Sequence, residues 1–371
     1  MYLSIPQLTA ALSIRDLTDP EQGPHALQDL LDGVITSLTR AWSIPAELQR
    51  TTGLVATTDN YDRLGYAPDD VTRDARYSRH ASPTVMLRSH TSAGIPAVLD
   101  SLADIEQPYD RLHVLPGLVY RRDAVDRTHV GTPHQVDLWR LNARGLLGEA
   151  DLRSMAAAVV EAVLPGARWR TVPANHSYTS HGLQIDVETP AGWLELAECG
   201  LVRAGILRNS GLDPRRWSGL ALGMGLDRAL MLRKGVDDIR LLRSPDPRIA
   251  AQMLDLQPWR PVSLMPAVRR DLSILCCPDA DEETLGDAAR EALGPEAEVL
   301  ESLVIRARTP VEQLPAAAVV RLDAQPGQVN LLIRLTLQAL DRTLTDTEAN
   351  ALRDRVYLAL HEGHVLELAA G

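Results

Sequence analysis

The chain has 371 residues, a formal net charge of −11 and 45% hydrophobic residues, a composition typical of a globular protein long enough for two domains. No apolar run approaches the roughly 18 residues of a membrane helix, and the N-terminus lacks a secretion-signal pattern, so we expect a cytoplasmic protein. Cys199, Cys276 and Cys277 have neither metal-ligand spacing nor the even count of a disulfide framework.

The first predicted element is an amphipathic helix in the segment 1–44. Within HALQDLLDGVITSLTRAW, apolar residues recur at the intervals of one helical face. They are Leu27, Leu30, Leu31, Val34, Ile35 and Leu38. We expect this helix to pack against the domain that follows it.

A strand, a loop and a second strand are predicted in the middle of the chain. LHVLPGLVYRRD is typical of the first strand, AVDRTHVGT of the loop and PHQVDLWRL of the second strand. Arg121 and Asp123 bring opposite charges to the end of the first strand. Taken alone, such alternation favours a solvated ladder of ion pairs over a binding site.

A strand, a glycine turn and a helix come next. GLALGMG predicts the strand and the turn, and LDRALMLRKG predicts a helix that ends at Gly235, a candidate C-cap. Arg228 falls in the first turn of this helix. Glycine-flanked helix starts are common, so this pattern gains meaning only from its neighbours.

The remainder follows a proline-rich linker, Pro258–Pro261, and alternates between strands and helices. VRRDLSIL, AEVLESLVIRA, NLLIRLTL and HVLELAA predict strands, and DEETLGDAAREAL and DTEANALRDRVYLALHE predict helices. Thr345 or Asp346 is the candidate N-cap of the second helix. This order is the ferredoxin-like βαββαβ arrangement.

The charge of this last segment argues against strong contact with nucleic acid. Residues 261–371 contain 10 Arg, no Lys and 18 Asp plus Glu, a net charge of −8, whereas phosphate binding calls for a basic face. Arg306 and Arg308 share a face by the period-two rule of a strand. We therefore expect weak, salt-sensitive RNA binding.

Five stretches carry a resemblance to a known family. The chain resembles the catalytic subunit of phenylalanyl-tRNA synthetase, a class II aminoacyl-tRNA synthetase, in MLRSHTSAGIP, YRRDAVDRTHVGTPHQVD, WLELAECGLV, GLALGMGLDRALMLRKG and MPAVRRDLSI. The resemblance implies an α+β fold with an antiparallel sheet flanked by helices in residues 45–256. Residues 262–371 resemble the ferredoxin-fold anticodon-binding domain that ends single-chain organellar enzymes.

The resemblance implies an ATP site with Mg²⁺. Arg121 matches the arginine on the α-phosphate and Arg228 the arginine on the γ-phosphate. Asp123 stands where the family has a glutamate at the adenine, and His129 lies in the loop over the β- and γ-phosphates. Glu195 is the candidate ligand of Mg²⁺ and ATP. Arg121 and Arg228 are thus the predicted catalytic residues.

The resemblance also implies an amino-acid site. His90, Ser92, Gln135 and Asp137 match the residues that bind the substrate ammonium group, with Asp137 in place of glutamate. His176, Tyr178, Leu220 and Ala221 match the side-chain pocket. Because His176, Tyr178 and Leu220 replace phenylalanines, this half of the pocket is wetter and less aromatic than in the family.

The resemblance implies that the chain activates phenylalanine or a related aromatic amino acid as its adenylate and transfers it to tRNA. The rebuilt pocket and the acidic C-terminal segment keep two alternatives open. One is an adenylate-forming paralogue with a non-tRNA acceptor, and the other is a non-catalytic regulatory paralogue. We expect a monomer or a homodimer.

Overall fold

A computed structural model describes residues 2–73, 78–121, 126–261, 266–339 and 342–366. The chain divides into two compact units. The first comprises Met1–Arg121, Thr132–Val236 and Gln252–Trp259, and the second comprises Arg122–Gly131, Asp237–Ala251 and Arg260–Gly371. Within the described ranges, no helix has the length and apolar character needed to cross a membrane.

The first unit is built on a seven-stranded sheet with the order β1-β5-β6-β10-β9-β8-β7. Its strands are β1 (Ala46–Leu48), β5 (Asp110–Leu118), β6 (His134–Asn142), β7 (Trp169–Pro173), β8 (Thr179–Thr189), β9 (Gly192–Val202) and β10 (Ser218–Gly225). All pairings are antiparallel except that of β1 with β5. A small second sheet contains β2 (Leu54–Ala56), β3 (Arg79–His80) and β4 (Val85–Leu87).

Helices cover the large sheet. They are α1 (Ile5–Leu12), α2 (Ala26–Trp42), α3 (Thr57–Asn60), α4 (Ile95–Ser101), α5 (Glu149–Val163), α6 (Ala204–Asn209) and α7 (Leu226–Lys234). In α2, five of the six predicted apolar positions are buried, Ile35 being half-buried, and the helix packs on α5. This arrangement confirms the predicted α+β fold with an antiparallel sheet flanked by helices.

The pairing of β9 with β8 contains a β-bulge that the sequence does not predict. Ala197 lies opposite Ile185, but Glu195 lies opposite Asp186, so Leu196 is an extra residue. Because an extra residue interrupts the alternation of faces, Glu195 and Glu198 lie on the same side of the sheet. Simple period-two counting would place them on opposite sides.

The second unit contains the antiparallel sheet β11-β13-β12. Its strands are β11 (Val268–Cys276), β12 (Leu300–Pro310) and β13 (Val329–Leu337), and its helices are α8 (Pro247–Ala250), α9 (Glu282–Leu293), α10 (Ala316–Leu322) and α11 (Asp346–Leu360). The side-chain hydroxyl of Thr345 accepts the Glu348 N–H, which confirms Thr345 as the N-cap of α11. The sequence did not predict α10.

Two expectations for the second unit need correction. Residues 364–366, at the start of HVLELAA, are not in a strand, and the rest of that segment lies outside the described residues. A register shift between Ile305 and Ala307 makes Arg306 an extra residue of β12. Arg306 and Arg308 therefore do not share a face, and Arg308 lies opposite the buried Leu331. The domain boundaries at 44/45 and 256/262 stay a prediction.

Candidate active site

The centre of the large sheet forms an open floor of glycines between polar side chains. Gly225 lies opposite Gln135 on β6, and Gly223 lies between Asp137 on β6 and Glu198 on β9. A Cβ atom built on either glycine meets no heavy atom of the described residues within 4 Å, apart from those of its chain neighbours. Since paired residues share a face, Gln135, Asp137 and Glu198 border this open floor.

Asp137 is a buried carboxylate held by three donors. It is 3% exposed and accepts hydrogen bonds from Thr91 Oγ1 at 2.7 Å, Ser92 Oγ at 2.8 Å and Trp139 Nε1 at 3.1 Å. Burial raises the pKa of Asp137, and these three hydrogen bonds oppose the rise. The site thus contains a fixed anion that can bind an ammonium group.

His90 precedes Thr91 in the chain and is in an electrically neutral form. Burial, together with the nearby Arg121 guanidinium, lowers the pKa of His90 to about 3. The ring stacks on Tyr66 with centroids 5.6 Å apart, and its nitrogens are buried without a hydrogen bond of normal geometry among the described residues. The structure therefore joins Ser92 to Asp137 by a hydrogen bond, with His90 two residues before Ser92 and Gln135 on the neighbouring row of the sheet. The roles of these four residues in binding stay predictions.

The two predicted phosphate-binding arginines both lower the pKa of the Glu195 carboxyl group. Arg228, in the first turn of α7, donates from Nη1 to the Glu195 carbonyl at 3.4 Å. Burial and the charge of Glu198 raise the pKa of Glu195, while Arg228 and Arg121 oppose this rise. The Arg121 Nε is buried and has no hydrogen-bond partner in the described part of the chain. A buried guanidinium Nε without a partner is suited to an anionic ligand.

A buried histidine–aspartate pair sets the relative position of the two halves of the site. His134 Nε2 accepts the Leu17 N–H at 3.0 Å, so the proton lies on Nδ1, which donates to Asp227 at 3.1 Å. The His134 backbone N–H also donates to the Asp227 carboxylate. The pair joins the start of β6 to the start of α7. Because His134 precedes Gln135 and Asp227 precedes Arg228, it also fixes the positions of these two predicted site residues relative to each other.

The predicted side-chain pocket is only partly assembled. Tyr178 stacks on Trp139 and on His176, with centroids 5.6 Å apart in both cases. His176 Nε2 lies 2.7 Å from the Glu198 carboxylate, and this interaction raises the pKa of His176. Ala221 lies opposite Trp139, on the face of Asp137. Leu220 is the next residue along β10 and lies on the opposite face, so the structure does not bring it to this site.

Three predictions concern residues that this geometry does not test. Asp123 lies outside the described residues. His129 belongs to the second unit, where its Nδ1 lies 2.7 Å from Asp126 Oδ2, and its role over the phosphates stays a prediction. Within the described ranges, no group of three or more His, Cys, Asp or Glu side chains could hold a metal ion. Glu195 therefore stays a predicted ligand only.

Sequence reasoning missed two residues of the site. Trp139 lies two positions after Asp137 on the same strand, so period-two counting could have placed it on the same face. Glu198 could not be found in this way, because the bulge at Leu196 reverses the alternation. The only sequence signal for Glu198 is a second carboxylate close to Glu195.

Comparison with known proteins gives a family match across the first unit. The sequence profile described as "tRNA synthetases class II core domain (F)" matches residues 43–253. The phenylalanine–tRNA ligase alpha subunit of Prochlorococcus marinus (strain MIT 9313) is 36% identical over 193 residues, which are 52% of this chain and 56% of the relative. That of Chlorobium chlorochromatii (strain CaD3) is 33% identical over 212 residues, 52% of this chain and 60% of the relative.

This chain thus spans little more than half the length of the curated relatives that it matches. Among solved structures, the pyrrolysyl-tRNA synthetase from Desulfitobacterium hafniense is 18% identical, with a TM-score of 0.46, and the match covers 60% of this chain and 74% of that chain.

Proposed function

Because this chain belongs to the class II tRNA synthetases through its core domain of the F type, we propose that it activates an amino acid with ATP. In this reaction a carboxylate oxygen of the amino acid attacks the α-phosphorus of ATP. The bond to the leaving pyrophosphate breaks, and an aminoacyl-adenylate forms. The observation that carries the proposal is an open glycine floor near two guanidiniums: Arg228, which hydrogen-bonds the Glu195 backbone carbonyl, and Arg121, whose buried Nε has no partner among the described residues.

ATP fits the residues present on two counts. Arg121 offers a buried Nε without a partner among the described residues, and Gly223 and Gly225 leave room where a side chain would stand. Positive charge fixed before the reaction stabilises negative charge that develops on the phosphate oxygens, without reorganising water. Arg121 and Arg228 would supply this charge at the α-phosphate and at the terminal phosphate.

The amino acid would bind through its ammonium group. Asp137 provides the anion, Ser92 and Thr91 fix the direction of its carboxylate, and the neutral His90 adds no competing positive charge. An ammonium group held at Asp137 leaves the substrate carboxylate free to face the glycine floor and the arginines. Holding both reactants in this orientation is a large part of the rate gain in such a reaction.

Mg²⁺ is the expected companion of ATP. It binds with one or two carboxylates together with phosphate oxygens, so it does not need a cluster of three protein ligands. Glu195 would provide the carboxylate, and Glu198 is already engaged with His176. When bound, Mg²⁺ would neutralise charge on the phosphates.

Transfer of the aminoacyl group to tRNA is the second step that we propose, and phenylalanine is the first candidate substrate. Both rest on the resemblance and on the names of the curated relatives, which are alpha subunits of phenylalanine–tRNA ligases. One observation favours the alternative of a non-tRNA acceptor. Several arginines of the second unit already hold carboxylates or carbonyls, as Arg334 does with Asp271 at 2.7 Å.

The first experiment is amino-acid-dependent exchange of pyrophosphate into ATP. Arg121→Ala and Arg228→Ala should each lower the exchange rate by about two orders of magnitude or more, since each removes a charged transition-state contact. Arg306→Ala, an exposed residue of the second unit, is the matched control and should leave the rate unchanged. Unchanged exchange in both site variants would refute the proposal.

The second experiment identifies the acceptor. Binding of tRNA to the full chain should be weak and should fall steeply between low and physiological salt, with a slope set by the few phosphates contacted. Binding that is tight and insensitive to salt would contradict the electrostatic argument. Active exchange without tRNA binding at low salt would instead favour the non-tRNA acceptor.

A further inference from the structure

The glycine floor of the site has a closed end and an open end. Along one face of β10, a Cβ built on Gly219 would lie 2.9 Å from Leu141 Cδ2, so that position is fully packed. The Cβ of Ala221 belongs to a residue that is only 1% exposed. Gly223 and Gly225 then face open space. The cleft therefore stops at Ala221, one row beyond the ammonium-binding Asp137.

Trp139 closes this end. It lies opposite Ala221 and two residues after Asp137, so it shares their face of the sheet. It is fully buried, and its indole N–H donates to Asp137 at 3.1 Å. Tyr178 stacks on it with an interplanar angle of 25°. Because both a hydrogen bond and a ring stack hold the indole, it cannot move aside without losing contacts on both sides.

Other rings enclose the space around Asp137. Tyr66 stacks on His90 at 5.6 Å between centroids and lies 6.4 Å from Tyr178. His176 continues the row by stacking on Tyr178, and Glu198 holds it in place. Together with Trp139, these side chains occupy the region in which the side chain of an ammonium-anchored amino acid would lie.

We propose that Trp139 sets the size limit of the substrate, and that the amino acid activated has a small side chain, as in glycine, alanine or serine. Protein interiors are close-packed, so a region already filled by an indole and a phenol ring does not accept a further phenyl ring. This inference rests on the proposed adenylate formation and specifies its amino acid. It differs from the aromatic substrate that the resemblance implies.

The test compares kcat/KM for pyrophosphate exchange across all twenty amino acids, using the full chain. Glycine, alanine or serine should exceed phenylalanine and tyrosine by at least about 100-fold, since an added ring must displace buried side chains. Fastest exchange with phenylalanine or tyrosine would overturn the size limit and leave the proposed function intact. A folded protein that gives no exchange with any amino acid would overturn both.

Variants then test whether Trp139 itself is responsible. Trp139→Leu should raise the ratio of phenylalanine to alanine activity by about tenfold or more, because it opens space beside Ala221. Trp139→Phe keeps a ring but loses the donor to Asp137, so it should keep the preference for small substrates and raise their KM. Trp217→Leu is the matched control, since Trp217 lies in the same apolar core and packs on Tyr109.

Thermal melting of each variant separates specificity from folding. If Trp139→Leu and Trp217→Leu melt alike and only the first changes the phenylalanine-to-alanine ratio, Trp139 is the size limit. An equal ratio in the two folded variants would refute the role of Trp139. If Trp139→Leu does not fold, the phenylalanine-to-alanine ratios of the wild type and Trp139→Phe are compared instead. Preference for phenylalanine in either protein would refute the size limit.

Discussion

Strand β9 in the first unit and strand β12 in the second both contain an extra residue, and the two extra residues have opposite effects on where charged side chains lie. In β9, the extra Leu196 brings Glu195 and Glu198 to one side of the sheet. In β12, the extra residue is Arg306, and it therefore does not share a face with Arg308. The Arg308 guanidinium donates to the carbonyls of Pro278 and Ala280. A bulge can thus assemble a charged site or disperse a charged surface.

Arg121 differs from arginines of both units that pair with a carboxylate, such as Arg140 with Asp110 in the first unit. Arg121 in the first unit keeps a buried Nε without a partner among the described residues. In the second unit, five guanidiniums hold carboxylates, in the pairs Arg240–Asp238, Arg270–Asp346, Arg334–Asp271, Arg342–Glu348 and Arg355–Glu296. Arg240–Asp238 is buried. The other four pairs lie at the surface and add little stability, but they occupy donors that a phosphate would need.

The largest expected effect is at the buried carboxylate of the first unit. Asp137→Asn should raise KM for the amino acid by roughly 10- to 150-fold, since a hydrogen bond to a charged group contributes about 1.5–3 kcal/mol. Asp271→Asn in the second unit removes a carboxylate that pairs with Arg334 on an exposed surface, and it should leave KM unchanged. Steady-state exchange kinetics give both values. Equal KM values for the two variants would remove the contrast between the units.

The bulge in β9 is tested at Glu195. Glu195→Gln should lower the exchange rate by about tenfold and raise the Mg²⁺ concentration required for half-maximal rate, because a carboxylate is a stronger Mg²⁺ ligand than an amide. Glu296→Gln, in the exposed pair with Arg355, is the control and should change neither quantity. Titration of exchange against Mg²⁺ measures the effect. An unchanged Mg²⁺ requirement would exclude Glu195 as a ligand.

The bulge in β12 is tested by the stability of the second unit. Arg308→Ala should lower the free energy of unfolding by about 1 kcal/mol, because two backbone carbonyls lose a donor. Arg306→Ala should change it by less than about 0.5 kcal/mol, as is usual for an exposed surface position. Urea unfolding with a probe of the second unit distinguishes the two variants. Equal losses would show that the two arginines play equivalent parts.

The smallest effect is a pH dependence at His176. Its pKa is raised by Glu198, so the pair contributes its full stability below the ordinary histidine pKa of about 6.5. This contribution is lost as the pH rises through the higher folded value. The difference in free energy of unfolding between wild type and His176→Gln, obtained from melting curves, should therefore shrink from pH 6 to pH 9. The decrease should be at most about 1 kcal/mol. A difference that is constant with pH would rule out the ion pair.

The sequence predicted those parts of the fold and site that depend on neighbouring residues. Helix α2 follows from its apolar spacing, and Gly235 ends α7 in the left-handed conformation, with φ of 70°. Ser92 and Asp137 are joined by a hydrogen bond, while the binding roles that the resemblance implied for His90, Ser92 and Asp137 stay predictions. Each of these residues was matched within a short motif on one strand or turn, so the sequence of that one segment is enough to identify it.

The remaining features depend on how two strands are aligned, which one segment does not reveal. An extra residue in β9 or β12 is visible only once the partner strand is placed. Leu220 was assigned to the pocket by position in a motif, whereas the alternation of β10 directs it to the other face. The closure by Trp139 likewise needed the cross-strand pairing with Ala221, since a tryptophan on a strand is usually an ordinary core residue.

The contact between His134 and Asp227 spans 93 positions of the chain. During synthesis, His134 leaves the ribosome well before Asp227, and long-range contacts of this kind form late. Until α7 has been made, the buried imidazole lacks its acceptor and β6 lacks its neighbour β10. Asp137 on β6 and Arg228 on α7 therefore reach their final relative positions only after α7 has been made, and a half-made chain lacks this arrangement.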